Sequence, residues 1–268
     1  MVSFIIVNYK QKKLLKECIC SAFSNFRSYP FEIIIVNNST EEDLLKLKSS
    51  VDSSFNLRII NNENTGYSKA NNLGAEKAKG KYILFLNPDT LIENDFLKQL
   101  VNHFENIKFG AVGLKVMYPD GTFQVSFGKE ISVLNEYRNK KIEKLYSKGK
   151  LRKIYKLEKK YKTVRKVDWV SGVALFIRKK VFEEVNGFDE NYFLYYEDAD
   201  LCKRLKNKGY ENYFYPFSKI VHYKGEITNK EFFNNVYNRF KESQSFYYKK
   251  HKSFLQRLLV KLHRKIKN

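Results

Sequence analysis

The sequence predicts an α/β fold: a mostly parallel central sheet with helices on both faces. Three observations carry that expectation. Strand-like apolar runs recur at Val2–Val7, Phe31–Val36 and Tyr82–Leu86, as suits strands buried on both sides. Between the first two, Leu14, Leu15, Ile19, Ala22, Phe23 and Phe26 fall at helical spacing. The connections are short, and strand–helix repetition of this kind favours right-handed parallel crossovers.

Taken in order, the first strand ends at Asn8-Tyr9-Lys10 and the first helix covers Lys12 to Phe26. The second strand closes in Asn37-Asn38-Ser39-Thr40, where Ser39 or Thr40 can cap a helix with Glu41, Glu42 and Asp43 in its first turn. Leu57–Ile60 is a short third strand. Gly66 then permits a positive φ or a close approach to a ligand, and the next helix runs to Gly80. Tyr82–Leu86 is the pivotal strand, because Asn87-Pro88-Asp89-Thr90 stops it abruptly and Pro88 cannot continue a central ladder. A helix is expected over Glu93–Asn106, a strand over Ala111–Met117, and a hairpin turn at Asp120-Gly121. Val167–Ile177 reads as one strand with Gly172 towards the ligand side, and Lys179–Asn186 as a short helix ended by Gly187. An aromatic wall follows at Tyr192–Tyr196, and Glu197-Asp198-Ala199-Asp200 opens a helix that Gly209 terminates. Asn212–Tyr215 is a strand ended by Pro216, and the tail from Glu231 is helical.

At 268 residues the chain can bury one sizeable core, and 43% hydrophobic residues mark it as globular. No basic-then-apolar leader opens it, and no apolar stretch approaches the roughly 20 residues that span a bilayer. Cys18, Cys20 and Cys202 lack zinc-ligand spacing and read as reduced thiols of a cytoplasmic protein. The net charge of +21 is concentrated: residues 138–166 carry +12, residues 249–268 carry +8 with no acid, and everything else nets +1. A general bias towards lysine would spread charge more evenly. These two segments are expected to face something anionic: phosphates, a membrane surface or nucleic acid. In the tail an apolar stripe opposes a wholly basic face, which suits an anionic membrane; packing on the core or on a second copy of the chain serves the same stripe.

In open parallel sheets the ligand crevice lies beyond the carboxyl ends of the strands, so Asp89 is expected there with Asn87 beside it. A carboxylate and an amide oxygen are hard donors suited to a divalent cation that also holds phosphates, although Asn-Pro-Asp is equally good turn chemistry. His222 is a candidate further ligand. N-capping explains one acid at Glu197-Asp198-Ala199-Asp200 well and three poorly. No Gly-x-Gly-x-x-Gly or Walker-type motif occurs, which weakens dinucleotide and P-loop readings.

Four stretches in this order resemble glycosyltransferase family 2, with its GT-A fold and a Rossmann-like sheet, near the rhamnosyltransferase-like group. They are Phe4–Tyr9; Asn64–Tyr67 through Asn72-Leu73-Gly74; Tyr82–Thr90; and Gly172 through Gly187-Phe188-Asp189 to Leu201 and His222. The resemblance implies a GT-A domain over residues 1–228, with residues 138–166 as a basic acceptor-side insert, and leaves residues 229–268 as a basic helical tail. It implies that Asp89 and His222 hold Mn2+ or Mg2+ and that Asp198 is the catalytic base. It places Asn8, Asn37, Gly66, Asn72, Asn87 and Asp89 on the donor side, and Trp169, Gly172, Tyr196 and Glu197 are candidates for the acceptor side. Asn37 stands where the family often has an Asp, and Asn87 likewise removes a charge from the metal motif.

The implied activity is inverting, metal-dependent transfer from a UDP- or dTDP-linked sugar, rhamnose among the candidates, to a saccharide or lipid-linked saccharide in surface glycan synthesis. The implied location is the cytoplasm or the inner face of the cell membrane, with residues 249–268 as the contact. Two competing classes are a basic nucleic-acid-binding protein, weakened by a core that nets only +1, and a non-catalytic module of the same fold.

Overall fold

The computed structural model describes residues 1–44, 47, 56–223 and 230–265. The chain opens with β1 (Val2–Asn8), α1 (Lys12–Asn25), β2 (Phe31–Asn37), β3 (Leu57–Asn61), α2 (Tyr67–Lys77) and β4 (Tyr82–Leu86). Most of the helix expected after Thr40 lies outside the described residues, as does Ile266.

β3, β2, β1 and β4 lie side by side and parallel, with Asn8 opposite Asn37 and Asn37 opposite Asn61 in register. Three asparagines thus line up at the carboxyl edge. The two faces follow from the two-residue period of the strands. Phe4, Ile6, Ile33, Ile35, Leu84 and Leu86 point to one side, against Leu15, Ile19 and Phe23 of α1. Ile5, Ile34, Ile83 and Phe85 point to the other.

After β4 the chain does not enter a helix at Glu93. It first forms β5 (Thr90–Ile92), and α3 (Leu97–Phe104) begins later. Asp95 explains the delay: its Oδ2 accepts the N–H groups of Arg27 and Ser28, tying this segment to the end of α1. β6 (Phe109–Met117) turns through the expected hairpin into β7 (Phe123–Gln124), and β8 (Phe127–Gly128) follows. The basic insert is helical, as α4 (Val133–Ser147) and α5 (Leu151–Lys160).

The strand expected over Val167–Ile177 is three pieces: β9 (Arg165–Val167), β10 (Trp169–Val170) and β11 (Ala174–Arg178). The break at Gly172 lets β10 pair with β8 while β11 enters the main sheet between β4 and β6, antiparallel to both. α6 (Lys179–Glu184) and α7 (Glu197–Asn207) then pack on the second face through Val181, Phe182, Leu201, Cys202 and Leu205. β12 (Glu211–His222) does not stop at Pro216. It runs on past the proline, and its register on β6 shifts between Tyr215 and Ile220. A proline is tolerated inside a strand at such an irregularity, where the ladder is already interrupted.

α8 (Lys230–His251) and α9 (Phe254–Lys265) complete the chain. Tyr247 and Tyr248 of α8 are buried against Tyr192 and Tyr196, so the carboxyl half of α8 is part of the packed body.

Candidate functional site

The site forms because several chain directions converge on one edge of the sheet. β4 runs towards it and delivers Asn87 and Asp89. Antiparallel β11 starts from it, with Ala174 opposite Leu86, so Gly172 stands beside Asn87. β12 ends there, with His222 opposite Thr90 in register. The Asn87 N–H donates to the Val173 carbonyl and the Tyr223 N–H to the Asp89 carbonyl, which fixes both connections.

Asp89 and His222 are both buried, with Asp89 Oδ1 3.3 Å from His222 Nε2. The other ring nitrogen, Nδ1, lies 3.1 Å from Gln124 Oε1. The amide oxygen facing Nδ1 suits a ring that carries a proton there, and in the neutral tautomer of that kind the Nε2 lone pair faces the carboxylate. In that tautomer the two acceptors repel, which a cation between them relieves; in a protonated ring the same contact is an ion pair. Adjacent ligand atoms of an octahedral cation with bonds of about 2.1 Å are about 3.0 Å apart, so the pair fits a divalent ion. Among the described residues no group of three His, Cys, Asp or Glu gathers around an ion. Asp89 and His222 are the two side chains so placed, with Asn87 Nδ2 3.5 Å from Nε2.

A chain of contacts leads from this pair to the helix start. The Tyr67 hydroxyl lies 3.3 Å from Asn87 Oδ1 and 3.1 Å from the Gly172 carbonyl. The Gly172 N–H donates to Asp198 Oδ2 at 2.9 Å, and the Ala199 N–H to Asp198 Oδ1 at 2.7 Å. Burial raises the pKa of Tyr67, with the charges of Glu197, Asp198 and Asp89 adding to the effect, so all three acids share its surroundings.

The adjacent acids are driven apart. Burial lifts Glu197 well above the ordinary carboxylate range, with Asp198 next to it adding to the rise, and Glu197 Oε2 has no hydrogen-bond partner. Asp198 is also raised by burial, but the N–H groups of Gly172 and Ala199 oppose the shift. The two carboxyl groups are pushed unequally: burial and Asp198 drive Glu197 towards its protonated form, while two N–H donors favour the anion at Asp198. Asp200 is lowered to about 2; burial would raise it, but His251, Arg204 and Lys250 outweigh that. It binds His251 Nε2 at 2.7 Å, Lys250 at 2.7 Å and Arg204 at 2.6 Å, so it ties α8 to α7.

The segment leading into α7 is backbone-strained. Tyr195 and Tyr196 have φ of 72° and 67°, a region that costs a residue with a side chain on the order of 1–3 kcal/mol. Packing holds it there. The Tyr196 hydroxyl donates to Glu136 of α4, which also accepts from Gln244 and Tyr248 of α8, and the Tyr195 ring meets Phe240 at 5.7 Å.

A family model described as glycosyl transferase family 2 matches residues 3–185. The chain belongs to that family. A second description, N-terminal domain of galactosyltransferase, matches residues 152–226. Over 254 residues this glycosyltransferase is 28% identical to the rhamnosyltransferase WbbL of Escherichia coli (strain K12), covering 88% of each chain. It is 30% identical over 122 residues to N-acetylglucosaminyl-diphospho-decaprenol L-rhamnosyltransferase of Mycobacterium tuberculosis (strain ATCC 25618 / H37Rv), which is 46% of this chain and 40% of that protein. Among solved structures, GalNAc-T7 with UDP, GalNAc and Mn2+ superposes with TM-score 0.64 at 15% identity, over 92% of this chain and 49% of that one. S. aureus TarS 1-349 in complex with UDP-GlcNAc gives 0.56 at 17% identity, over 90% of this chain and 66% of that one. At such identities the likeness is one of fold, and that fold is the expected GT-A architecture.

Not every residue singled out in the sequence joins the group at Asp89. Asn37 is fully engaged internally: its Oδ1 accepts from Asn8 and its Nδ2 donates to Ser39 and Glu42 carbonyls. Asn72 clamps Phe188 with both ends of its amide, donating to the carbonyl and accepting the N–H. The ring of Tyr196, read as part of an acceptor wall, is instead buried with Tyr192 against α8. Trp169 packs its Nε1 edge against Gly128, where an added Cβ would lie 2.9 Å away. Gly66 has φ +97°, and an added Cβ would stand 2.8 Å from the Phe193 carbonyl oxygen, so its role in the structure is close backbone packing. Gln124 and Tyr67 were given no role by the sequence reading. The Asp120-Gly121 hairpin signal that places β7 beside β6 is the one clue that pointed towards Gln124.

Proposed function

We propose that this glycosyltransferase moves a sugar from a nucleoside diphosphate sugar to a hydroxyl of a lipid-linked saccharide, inverting the anomeric centre, with Asp198 as the base. The observation that carries it is the run from Asp89 and His222 through Asn87, Tyr67 and Gly172 to Asp198. It gives an end suited to a cation, which would in turn hold the diphosphate, and a proton-accepting end in one place.

Asp198 takes the acceptor proton. Its two oxygens are aimed by the Gly172 and Ala199 N–H groups, and each keeps a lone pair for the substrate. The pKa lifted by burial makes it a stronger base, while those N–H groups keep it ionised. Glu197, protonated, supplies no second nucleophilic carboxylate, so one displacement and inversion follow by the logic of paired carboxylates. Asp89 and His222 hold Mn2+ or Mg2+, which when bound neutralises the leaving diphosphate. Asn87 and Tyr67 fix the spacing between that end and the base. Asn8 Oδ1 is buried at the carboxyl end of β1 without a protein partner, and the ring N–H of uracil or thymine would satisfy it. Guanine carries a ring N–H as well, so that atom disfavours adenine and cytosine and is compatible with a UDP- or dTDP-linked donor; two relatives named as rhamnosyltransferases favour rhamnose among the sugars. The decaprenol diphosphate in one relative's name favours a polyprenyl diphosphate-linked acceptor and work at the inner face of the membrane.

The test is a panel of UDP-, dTDP- and GDP-sugars with a short-chain lipid diphosphate saccharide, with the product's anomeric configuration read by NMR. Transfer with inversion from a UDP- or dTDP-sugar is expected. A retained configuration removes the single-base mechanism, and exclusive use of GDP-sugars removes the assignment of a UDP- or dTDP-linked donor.

A further inference from the structure

α9 is packed the wrong way round for a helix of a water-soluble domain. Val260 is its buried apolar side chain, while Leu255, Leu258, Leu259 and Leu262 are 64%, 42%, 43% and 47% exposed. Their spacing of i, i+3, i+4 and i+7 makes one continuous stripe. Phe254, at the start of the helix, is 77% exposed. The stripe does not end at the helix edge. Leu259 also lines a groove of about 600 Å³ between α4, α8 and α9, with Leu134, Tyr137 and Tyr237, and Lys140 and Lys241 belong to the same lining. Leu134, Tyr137 and Tyr237 are themselves well exposed. A contiguous apolar surface of this kind, edged by lysine, marks a place where something docks.

We propose that this composite face of α4, α8 and α9 is a docking surface for a bilayer rich in anionic lipid. The proposal rests on the membrane-side reading above and names the surface that meets the membrane. Charge selects the occupant. Residues 249–268 hold eight Lys/Arg and no acid. Lys250 and Lys252 are bound to Asp200 and Glu130 in the packed body, and every other charge in the segment is positive, so a second copy of the chain would bring like charge against like charge, whereas anionic headgroups complement it. The stripe supplies leucine side chains that reach below the headgroups, the usual division of labour in a helix lying in the interface plane. No described helix is long and apolar enough to cross a membrane, so the contact is a surface one. The same face is mechanically joined to the active site. Glu136 and Gln244 line the groove, and Glu136 receives the Tyr196 hydroxyl two residues before the base. Docking would therefore hold the strained entry to α7 close to the membrane plane.

The experiment is co-sedimentation of the full chain with vesicles of phosphatidylcholine alone and of phosphatidylcholine mixed with phosphatidylglycerol. Each vesicle set is run against the native protein and Leu258→Glu/Leu262→Glu, with circular dichroism as the check on folding. Binding to the mixed vesicles is expected, weakening as salt rises, and the double variant should lose at least about tenfold in partitioning. Both substituted side chains are already exposed, so the variant should fold and should still transfer sugar to a soluble acceptor. Equal partitioning by the variant overturns the proposal, as does absence of binding to the mixed vesicles. A protein concentration-dependent dimer that the double variant dissolves would assign the face to self-association and also overturn it. Normal vesicle binding by a protein that transfers no sugar would leave the docking surface standing and count against the catalytic reading alone.

Discussion

The carboxylate of Asp198 accepts the backbone N–H of Gly172 at 2.9 Å, and the carbonyl of the same glycine lies 3.1 Å from the Tyr67 hydroxyl. One peptide segment thus spaces Asp198 from the Asn87–Asp89 corner. The break at Gly172 between β10 and β11 makes this possible, since a continuous strand would bind both groups into the ladder.

This arrangement sets a pH dependence. Asp198 has a pKa above the ordinary aspartate value of about 3.9 because burial outweighs its two N–H donors. Rate should be lost as pH falls through that raised value, because the protonated form accepts no proton. The acidic limb of a kcat/KM profile is therefore expected above the range of an exposed carboxylate. A limb at or below about 3.9 would contradict it.

Gln124 holds the His222 ring through Nδ1. Gln124→Leu should fold, because leucine is apolar and of similar size at this buried position, and should weaken Mn2+ binding by about 10–100-fold. The free-ion EPR signal in a titration of donor-bound protein reads this without turnover. Asp89→Ala should show a larger loss, and unchanged affinity in both would remove the metal assignment.

Asp200 is a stability residue. Its side chain is fully buried, and its folded pKa of about 2 lies below the unfolded value of about 3.9. Its contribution is present above the unfolded value and disappears as pH falls through about 2. Asp200→Ala removes the shared acceptor of Arg204, Lys250 and His251, of which Arg204 keeps two backbone carbonyls and Lys250 keeps Asp189, and should destabilise by about 3 kcal/mol, measured by urea unfolding at neutral pH. A change within about 0.5 kcal/mol would show that the cluster does not fasten α8 to α7.

Gly66→Ala combines a positive φ with a close contact to the Phe193 carbonyl. It should cost about 1–3 kcal/mol and displace the segment before α7. Transfer rate should fall together with melting temperature. A variant of native stability and native rate would show that Gly66 is not needed there.

The parallel half of the fold could be read from the chain because β1, β2 and β4 are buried on both faces and announce themselves as apolar runs. The edges were harder. β5 is only three residues long and is fixed by β12, a distant partner, so nothing local distinguishes it from a helix start. β12 crosses Pro216 because a register shift accommodates it, and that shift depends on β6. Asp89, Asp198 and His222 stood out as charged or titratable groups at element ends. Gln124 and Tyr67 did not, since an amide and a phenol gain meaning only from what faces them. The aromatic run at Tyr192–Tyr196 was open to core packing as much as to the acceptor side, and only α8, which covers Tyr192 and Tyr196, decides for packing.

The central claim is tested most directly by single-turnover transfer in Asp198→Asn, with donor binding measured in parallel by calorimetry. Donor affinity should be unchanged while the transfer step slows by about 10²–10⁴-fold. Near-native transfer by a protein that still binds donor would contradict the assignment of the proton to Asp198.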